Sequence, residues 1–437
     1  MGSAGIGRWL VLLIAAVGLG GCTDREAPLT KAENRASETL RGKVLVGYQG
    51  WYRTPTDGSG LGWKHYETYE ETFEPGACGI DAWPDVGELD RDEKYATSFR
   101  HADGSTAEVF TSENPKTVAR HFQWMKEYGI DGAVLQRFAH DVLPGGHHQW
   151  ELLQPSNNRV LGNVKQAANQ HGRSYMIMYD LTGVRHGEMP QVMEDWRGLN
   201  RNFDLLHDAC YQHHSGKPVV AIWGVGFGDN RAYTLEEIGT LMDFFQNDPD
   251  FGGCTVVLGI PTFWREQVRD STKDPEFHKL LGKADVLCPW TIGRYETPEQ
   301  ARKHTDEVAV ADIAWCLERG IDYLPVAFPG FSWANRYAHE NAPFDKIPRL
   351  GGRFFWSQAT GYRKAGAEML YVAMFDEMDE ATQIFKVTDN PPVGASRFLS
   401  YNPDPSDHYL WLTGQAGRLM RGELQANLDL PARIPDL

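Results

Sequence analysis

The chain has 437 residues, of which 41% are hydrophobic and 12% aromatic, so it can bury a large core as one large domain or two ordinary ones. Its formal net charge is −16 at pH 7. Because no basic tract or Lys/Arg-rich helix is present, we predict that nucleic acid is not a partner.

The first 42 residues are predicted to be an export signal and a tether. Arg8 precedes an apolar stretch over residues 9–19, which is too short to cross a bilayer but has the length of a signal-peptide core. The following letters, LGGC, resemble the lipobox of bacterial lipoproteins. The resemblance implies that residues 1–21 are removed as a signal peptide and that the Cys22 thiol is acylated. It also implies sorting to the outer membrane where the host has one, since no Asp follows the cysteine. Residues 22–42 are polar and are predicted to be the tether; an uncleaved anchor and a simple secretory signal are the alternatives.

Eight short apolar runs follow and are predicted to be strands. They are rich in β-branched residues and continuous rather than alternating, which is typical of strands buried on both faces. The runs cover residues 43–48, 131–136, 175–180, 218–223, 254–260, 285–290, 322–328 and 369–374.

Helical patterns separate these runs, at residues 114–129, 158–172, 193–210, 234–246, 298–320 and 351–366. The first has an Asn cap, an early Pro and a final Gly. This alternation predicts an α/β fold in which residues 43–437 form a single (β/α)8 TIM barrel with long βα loops. An open doubly wound sheet is the alternative, but the sequence lacks its Gly-rich phosphate turn.

In a barrel, functional side chains gather at the carboxyl ends of the strands. Aromatic residues accompany charged or amide residues at nearly every predicted strand end, and such a mouth suits a polyhydroxylated ligand. The alternatives are rim packing for the aromatic residues and structural hydrogen bonds for the polar ones. The candidate substrate-binding residues at these ends are Tyr48, Trp51, Gln136, Arg137, His140, Asp180, Trp290 and Arg294.

The end of the eighth run holds four carboxylates within five positions: Asp376, Glu377, Asp379 and Glu380. A solvated loop is the simplest interpretation of such a run. Its place at the barrel mouth favours a catalytic pair instead, because like charges held close together raise the pKa of one carboxyl group. Oxygen ligation of Ca²⁺ is a further alternative, but no spaced Asp/Asn/Gly loop accompanies the acids. Paired histidines occur elsewhere without zinc-ligand spacing, so we predict neither a metal nor a cofactor.

Residues 376–384 resemble the catalytic segment of glycoside hydrolase family 99, the endo-α-mannosidases. That segment runs Asn-Glu-Trp-His-Glu-Gly-Thr-Gln-Ile, and here it is DEMDEATQI. The likeness extends to the first strand (VGYQGWY) and to the passage MKEYGIDGAVLQ. It spans residues 43 to about 390 and includes the related family 71 α-1,3-glucanases.

The resemblance implies roles for individual residues. Glu377 matches the base that deprotonates the sugar 2-hydroxyl to give a 1,2-anhydro intermediate, and Glu380 matches the general acid and then base. Asp376 and Gln383 fall on the motif and are expected to contact substrate. Met378 and Asp379 replace the family's Trp and His, so mannose specificity does not transfer.

These observations predict a glycoside hydrolase that cleaves α-linked bonds of a polysaccharide or oligosaccharide. The alternative is a non-catalytic, surface glycan-binding lipoprotein, although binding alone does not require the two glutamates. The expected partners are a carbohydrate substrate and, through the lipid anchor, a membrane, with the protein itself a monomer. Families 99 and 71 retain and invert the anomeric configuration respectively, so the stereochemical outcome stays open.

We expect Cys22→Ser to release the protein from membranes or to block its processing, because the acylated thiol is predicted to attach the protein to the membrane. Membrane fractionation of cells producing either form measures this. Unchanged fractionation together with normal maturation would contradict the lipoprotein prediction.

Overall fold

The computed structural model describes residues 37–433. The predicted signal peptide, Cys22 and residues 22–36 of the predicted tether lie outside this range. The end of the predicted tether contacts the domain, since Leu40 is fully buried and its N–H donates to His214 Nδ1 over 3.2 Å. The folded domain therefore begins before residue 43. Among residues 37–433, no helix combines the length and the apolarity needed to cross a membrane.

The strands of the described chain form one large sheet and one small hairpin. In chain order they are β1 Val44–Tyr48, β2 Tyr95–Arg100, β3 Thr106–Val109, β4 Gly132–Phe138, β5 Ser174–Asp180, β6 His213–His214, β7 Lys217–Trp223, β8 Thr255–Pro261, β9 Val286–Trp290, β10 Asp322–Tyr323, β11 Val326–Ala327 and β12 Leu370–Val372. The β2–β3 hairpin lies in the long connection after β1, and β6 adds an antiparallel edge to β7.

The large sheet follows the order β10–β9–β8–β7–β5–β4–β1–β12–β11, and neighbours along this path are parallel. Its first and last strands belong to one predicted run, residues 322–328. Leu324 N donates to Leu287 O at 2.8 Å on one side, while Pro325 O accepts from Tyr371 N at 2.9 Å on the other. The prediction of a TIM-barrel-like α/β fold is confirmed. The seventh run is not one regular strand, because Pro325 has no N–H to donate to a ladder.

Helices form the outer layer. They are α1 Pro115–Tyr128, α2 Ala139–Val142, α3 Trp150–His171, α4 Met189–Phe203, α5 Leu235–Asn247, α6 Phe277–Leu281, α7 Pro298–His304, α8 Val310–Leu317, α9 Arg353–Ala365 and α10 His408–Met420. A π-helical turn, Thr305–Ala309, joins α7 to α8, and short 3₁₀ turns occur at Arg91–Glu93, Leu205–His207, Ala338–Glu340 and Leu350–Gly352. Helix α1 has the predicted boundaries: the Asn114 side chain accepts from Lys116 N, and Gly129 ends the helix at φ +75°.

Helix α10 is absent from the predicted set, and its two glycines lower helix propensity. Tertiary packing stabilises it, since ten of its thirteen residues are buried. Gly414 lies against the end of α1, where a Cβ would overlap the Tyr128 carbonyl oxygen.

We therefore expect Gly414→Ala to lower the free energy of unfolding by about 1–3 kcal/mol, the usual cost of overpacking. Gly198→Ala, within α4, is the matched control because a Cβ there meets no atom within 4 Å. The control should raise stability by about 0.5–1 kcal/mol through helix propensity. Urea unfolding measures both; equal effects would contradict the close contact.

Candidate active site

A cavity of about 420 Å³ opens at the carboxyl ends of the parallel strands. Six of the predicted site residues line it: Trp51, Gln136, Asp180, Trp290, Glu377 and Glu380. The segment after β12 therefore lies at the predicted end of the barrel. The other predicted residues of the described chain do not line it.

Asp376 is fully buried and joins the end of β12 to the end of β1. Its two carboxylate oxygens accept the backbone N–H groups of Gln49 and Gly50 at 2.7 and 2.8 Å. Burial raises the pKa of Asp376 to about 7 even though both donors favour its charged form. The Asp376 side chain therefore binds backbone N–H groups and does not line the cavity.

Glu377 lines the cavity with both oxygens held by donors. Oε1 accepts from Gln49 Nε2 at 2.7 Å, and Oε2 accepts from the Thr382 hydroxyl at 2.6 Å. Burial and the nearby Glu380 raise the pKa of Glu377 well above its usual value. The two donors favour the charged form of Glu377 and so oppose this rise.

Glu380 lines the same cavity, and its side-chain oxygens have no hydrogen-bond donor among residues 37–433. Its backbone is fixed, because its carbonyl accepts from Ser332 N at 2.9 Å. Burial and the Asp379 charge raise the pKa of Glu380 to about 7. The arrangement suits a carboxyl group that stays protonated near neutral pH and gives its proton to a ligand.

Asp379 separates the two glutamates and is 2% exposed. Its oxygens contact Arg336 Nη1 at 2.8 Å, His65 Nδ1 at 3.3 Å and the Tyr52 hydroxyl at 3.2 Å. Burial opposes ionisation, but the Arg336 and His65 contacts outweigh it and hold the pKa of Asp379 below its usual value. Burial also lowers the pKa of His65 to about 4, so its imidazole is neutral at pH 7.

Aromatic side chains line two other parts of the cavity. The Trp51 indole stacks on His65 with ring centroids 3.8 Å apart and planes 4° apart. Trp290 meets Trp223 edge to face, with centroids 5.5 Å apart. Flat apolar surfaces of this kind suit the C–H faces of sugar rings.

Polar groups lie beside these rings. Gln136 Nε2 donates to the Tyr371 hydroxyl at 2.7 Å, which fixes the amide at the cavity floor. Asp180 accepts from Thr182 N at 2.7 Å, and burial raises the pKa of its carboxyl group to about 6. The cavity lining therefore also offers an amide group and a carboxyl group.

The structure places three further predicted residues in structural contacts. The fully buried Tyr48 contacts His121 Nδ1 through its hydroxyl at 2.8 Å. Arg137 forms an ion pair with Asp195 at 2.6 Å, and Arg294 donates to Asp270 at 2.8 Å. None of the three lines the cavity.

His140 and Gln383 also lie outside the cavity lining. The His140 ring packs beside Gly183, where it leaves no room for a Cβ. Gln383 is fully buried next to the Tyr401 hydroxyl, which donates to the Gln383 carbonyl at 3.2 Å.

Several lining residues were not among the predicted site residues: Gln49, Lys64, His65, Phe138, Asp141, Thr182, Trp223, Ile292, Arg336 and Asp379. Strand alternation identifies two of them, because successive side chains point to opposite faces. Since Tyr48 faces the helices, the next residue, Gln49, faces the cavity. Gln136 and Phe138 lie on the same face of β4, and Arg137 lies on the opposite face. Arg336 gives no comparable signal, because it lies in an irregular segment 43 residues from Asp379.

Within residues 37–433, no three His, Cys, Asp or Glu side chains are arranged to hold a metal ion. The four clustered carboxylates do not converge on one point. The oxygens of Asp376, Glu377 and Asp379 each bind different protein donors.

No protein-family model matches the chain, and no curated protein matches its sequence. Solved structures do match. The family 99 endo-α-mannosidase of Bacteroides thetaiotaomicron in complex with bis-tris-propane has a TM-score of 0.61 and 14% identity, covering 88% of this chain and 99% of that chain. A second structure of that enzyme has a TM-score of 0.59 and 15% identity, with coverage of 88% and 99%. A glycoside hydrolase-like protein has a TM-score of 0.52 and 13% identity, covering 90% and 97%. At these identities the likeness shows a shared fold.

We expect Asp376→Asn to lower the free energy of unfolding by about 1–3 kcal/mol, because the new amide NH₂ would face a buried backbone N–H. Urea unfolding at pH 7 measures the change. Asp389→Asn, at an exposed position, is the control and should be neutral. An Asp376→Asn protein as stable as the wild type would show that the two backbone contacts are dispensable.

Proposed function

We propose that the protein is a glycoside hydrolase that cleaves α-linked bonds of an oligosaccharide or polysaccharide. The observation that supports this best is that Glu377 and Glu380 line one cavity in different hydrogen-bonding states. Glu377 accepts two protein donors, whereas Glu380 accepts none among the described residues. Glycoside cleavage needs one carboxylate on the anomeric side and one acid at the leaving oxygen.

Glu377 takes the carboxylate role. Gln49 and Thr382 fix its two oxygens, so it is oriented before substrate arrives. By resemblance to family 99, it removes the proton of the sugar 2-hydroxyl. A family 71-like reaction would instead use it to activate water on that face.

Glu380 takes the acid role. Its pKa of about 7 keeps much of it protonated at neutral pH, and its proton passes to the glycosidic oxygen as the bond to the anomeric carbon breaks. Once ionised, it can take a proton from the incoming water. The neighbouring Asp379 stays charged through its contact with Arg336 and so does not compete as the acid.

The substrate contacts follow from the lining. Trp51 and Trp290 are proposed to stack on sugar rings, and Gln136 and Asp180 to bind hydroxyls. Gln49 joins them, because its Oε1 is buried with no hydrogen-bond partner in the described structure and would accept a sugar hydroxyl near Glu377.

The α-linkage rests on the sequence resemblance and on the endo-α-mannosidase named among the fold matches. The proposed location is the bacterial cell envelope, through a lipid on Cys22. This location rests on the lipobox-like sequence alone.

Glu380→Gln is expected to abolish cleavage of a natural glycan while sparing an activated aryl α-glycoside, whose leaving group needs no proton. Glu377→Gln should abolish cleavage of both, and each loss should be at least ~100-fold. Steady-state kcat/KM on the two substrate types measures this.

The matched control is Glu127→Gln, an exposed glutamate on α1, which should leave kcat/KM unchanged. Full activity of Glu377→Gln on any substrate that the wild type cleaves would refute the assignment. Proton NMR of the first product formed distinguishes retention from inversion.

A further inference from the structure

Arg336 reaches the cavity from the segment after β11, and Asp81 fixes the start of that segment. The Asp81 carboxylate accepts from Ala334 N at 2.7 Å, from Asn335 N at 2.8 Å and from the Ser332 hydroxyl. The Asp81 N–H donates to Met378 O at 2.9 Å. One buried residue therefore ties the Arg336 segment to the segment that holds the glutamates.

The Arg336 side chain is fixed at its far end as well. Its Nη1 lies 2.8 Å from Asp379 Oδ2, and its guanidinium lies 5.0 Å from the centre of the Tyr69 ring. The Tyr69 hydroxyl donates to the Tyr337 hydroxyl at 2.6 Å. Other residues therefore hold both partners of the ion pair in place. The Asp379 side chain is 2% exposed and the Arg336 side chain 23% exposed.

Charged and titratable groups approach Glu380 from several elements. On its own segment these are Glu377 and Asp379; from the other segments they are Arg336, Tyr337, Lys64 and His65, with Asp141 and Asp180 on other parts of the cavity lining. Asp379 and Arg336 act on Glu380 with opposite sign: the first raises its pKa and the second lowers it. Arg336 offsets part of the Asp379 effect, and burial together with Asp379 leaves the pKa of Glu380 above its usual value.

We propose that Asp379 and Arg336 are a positioning pair whose opposed charges set how firmly Glu380 holds the proton that it donates in the reaction. The inference rests on the proposed function and adds the two residues that act on its acid, Glu380. In the step concerned, the O–H bond of Glu380 breaks, the proton joins the glycosidic oxygen, and the electron pair of the breaking carbon–oxygen bond stays on that oxygen. Family 99 has His at the position of Asp379, so this pairing belongs to this chain.

Removing Asp379 and removing Arg336 should shift the pKa of Glu380 in opposite directions. Asp379→Asn leaves the Arg336 cation unpaired beside Glu380, which favours the charged carboxylate and lowers its pKa. Arg336→Gln leaves the Asp379 anion unpaired, which raises the pKa of Glu380.

The test is the pH dependence of kcat/KM on a natural glycan for wild type, both single variants and the double variant. The alkaline limb, where Glu380 loses its proton, should move to lower pH in Asp379→Asn and to higher pH in Arg336→Gln, by about one unit or more. The two shifts oppose each other in the double variant, so its limb should lie between those of the single variants. Arg336→Lys keeps the charge and should leave the limb close to its wild-type position.

The matched control is Arg120→Gln, which breaks a pair of similar burial (20% and 0% exposed, 2.7 Å) remote from the cavity. It should leave the limb in place. Limbs that move in the same direction in both single variants, or not at all, would overturn the inference while the glycosidase proposal stands.

A readout without turnover separates the two proposals. Carbon-13 NMR of protein labelled at the glutamate side-chain carboxyl identifies Glu380 as the signal missing from Glu380→Gln. Its titration midpoint should follow the same opposite shifts. An inactive wild type with these shifts would refute the glycosidase and keep the positioning pair; unshifted midpoints would refute the pair.

Discussion

The site depends on one interaction, the contact of the buried Asp376 carboxylate with the backbone N–H groups of Gln49 and Gly50. These contacts join the ends of the eighth and first predicted strands, where the chain leaves β12 and β1. They bring the Gln49 amide within 2.7 Å of Glu377. The acid next to the proposed catalytic pair therefore fixes the geometry of the site and has no proposed part in the reaction.

The crowding of four carboxylates is tolerated because each has a different environment. Asp376 binds backbone donors, Glu377 binds side-chain donors and Asp379 binds a guanidinium. Glu380 has no such donor in the described structure; burial and the Asp379 charge raise its pKa, and burial also raises the pKa of Asp376 and of Glu377. Asp376 is thus a structural group and Asp379 an ion-paired group, while Glu377 and Glu380 are the proposed carboxylate and acid.

The sequence predicts the strand positions well, because continuous apolar runs mark strands buried on both faces. It also places the acidic segment at the carboxyl ends, since that follows from chain order in a barrel. Strand alternation explains why Tyr48 and Arg137 face outward while Gln49 and Gln136 face the cavity. The position of Arg336 at the cavity could not be predicted from the sequence, because it lies in an irregular segment without periodicity. The contacts that fix it come from distant parts of the chain.

The most direct measurement is release of new reducing ends from a panel of α-linked glycans by the purified wild-type protein. The account predicts release from at least one glycan, with a rate that falls as pH rises above about 7, where Glu380 ionises. Calorimetric binding of a glycan without any release of reducing ends would contradict it and would show a glycan-binding protein on a barrel fold.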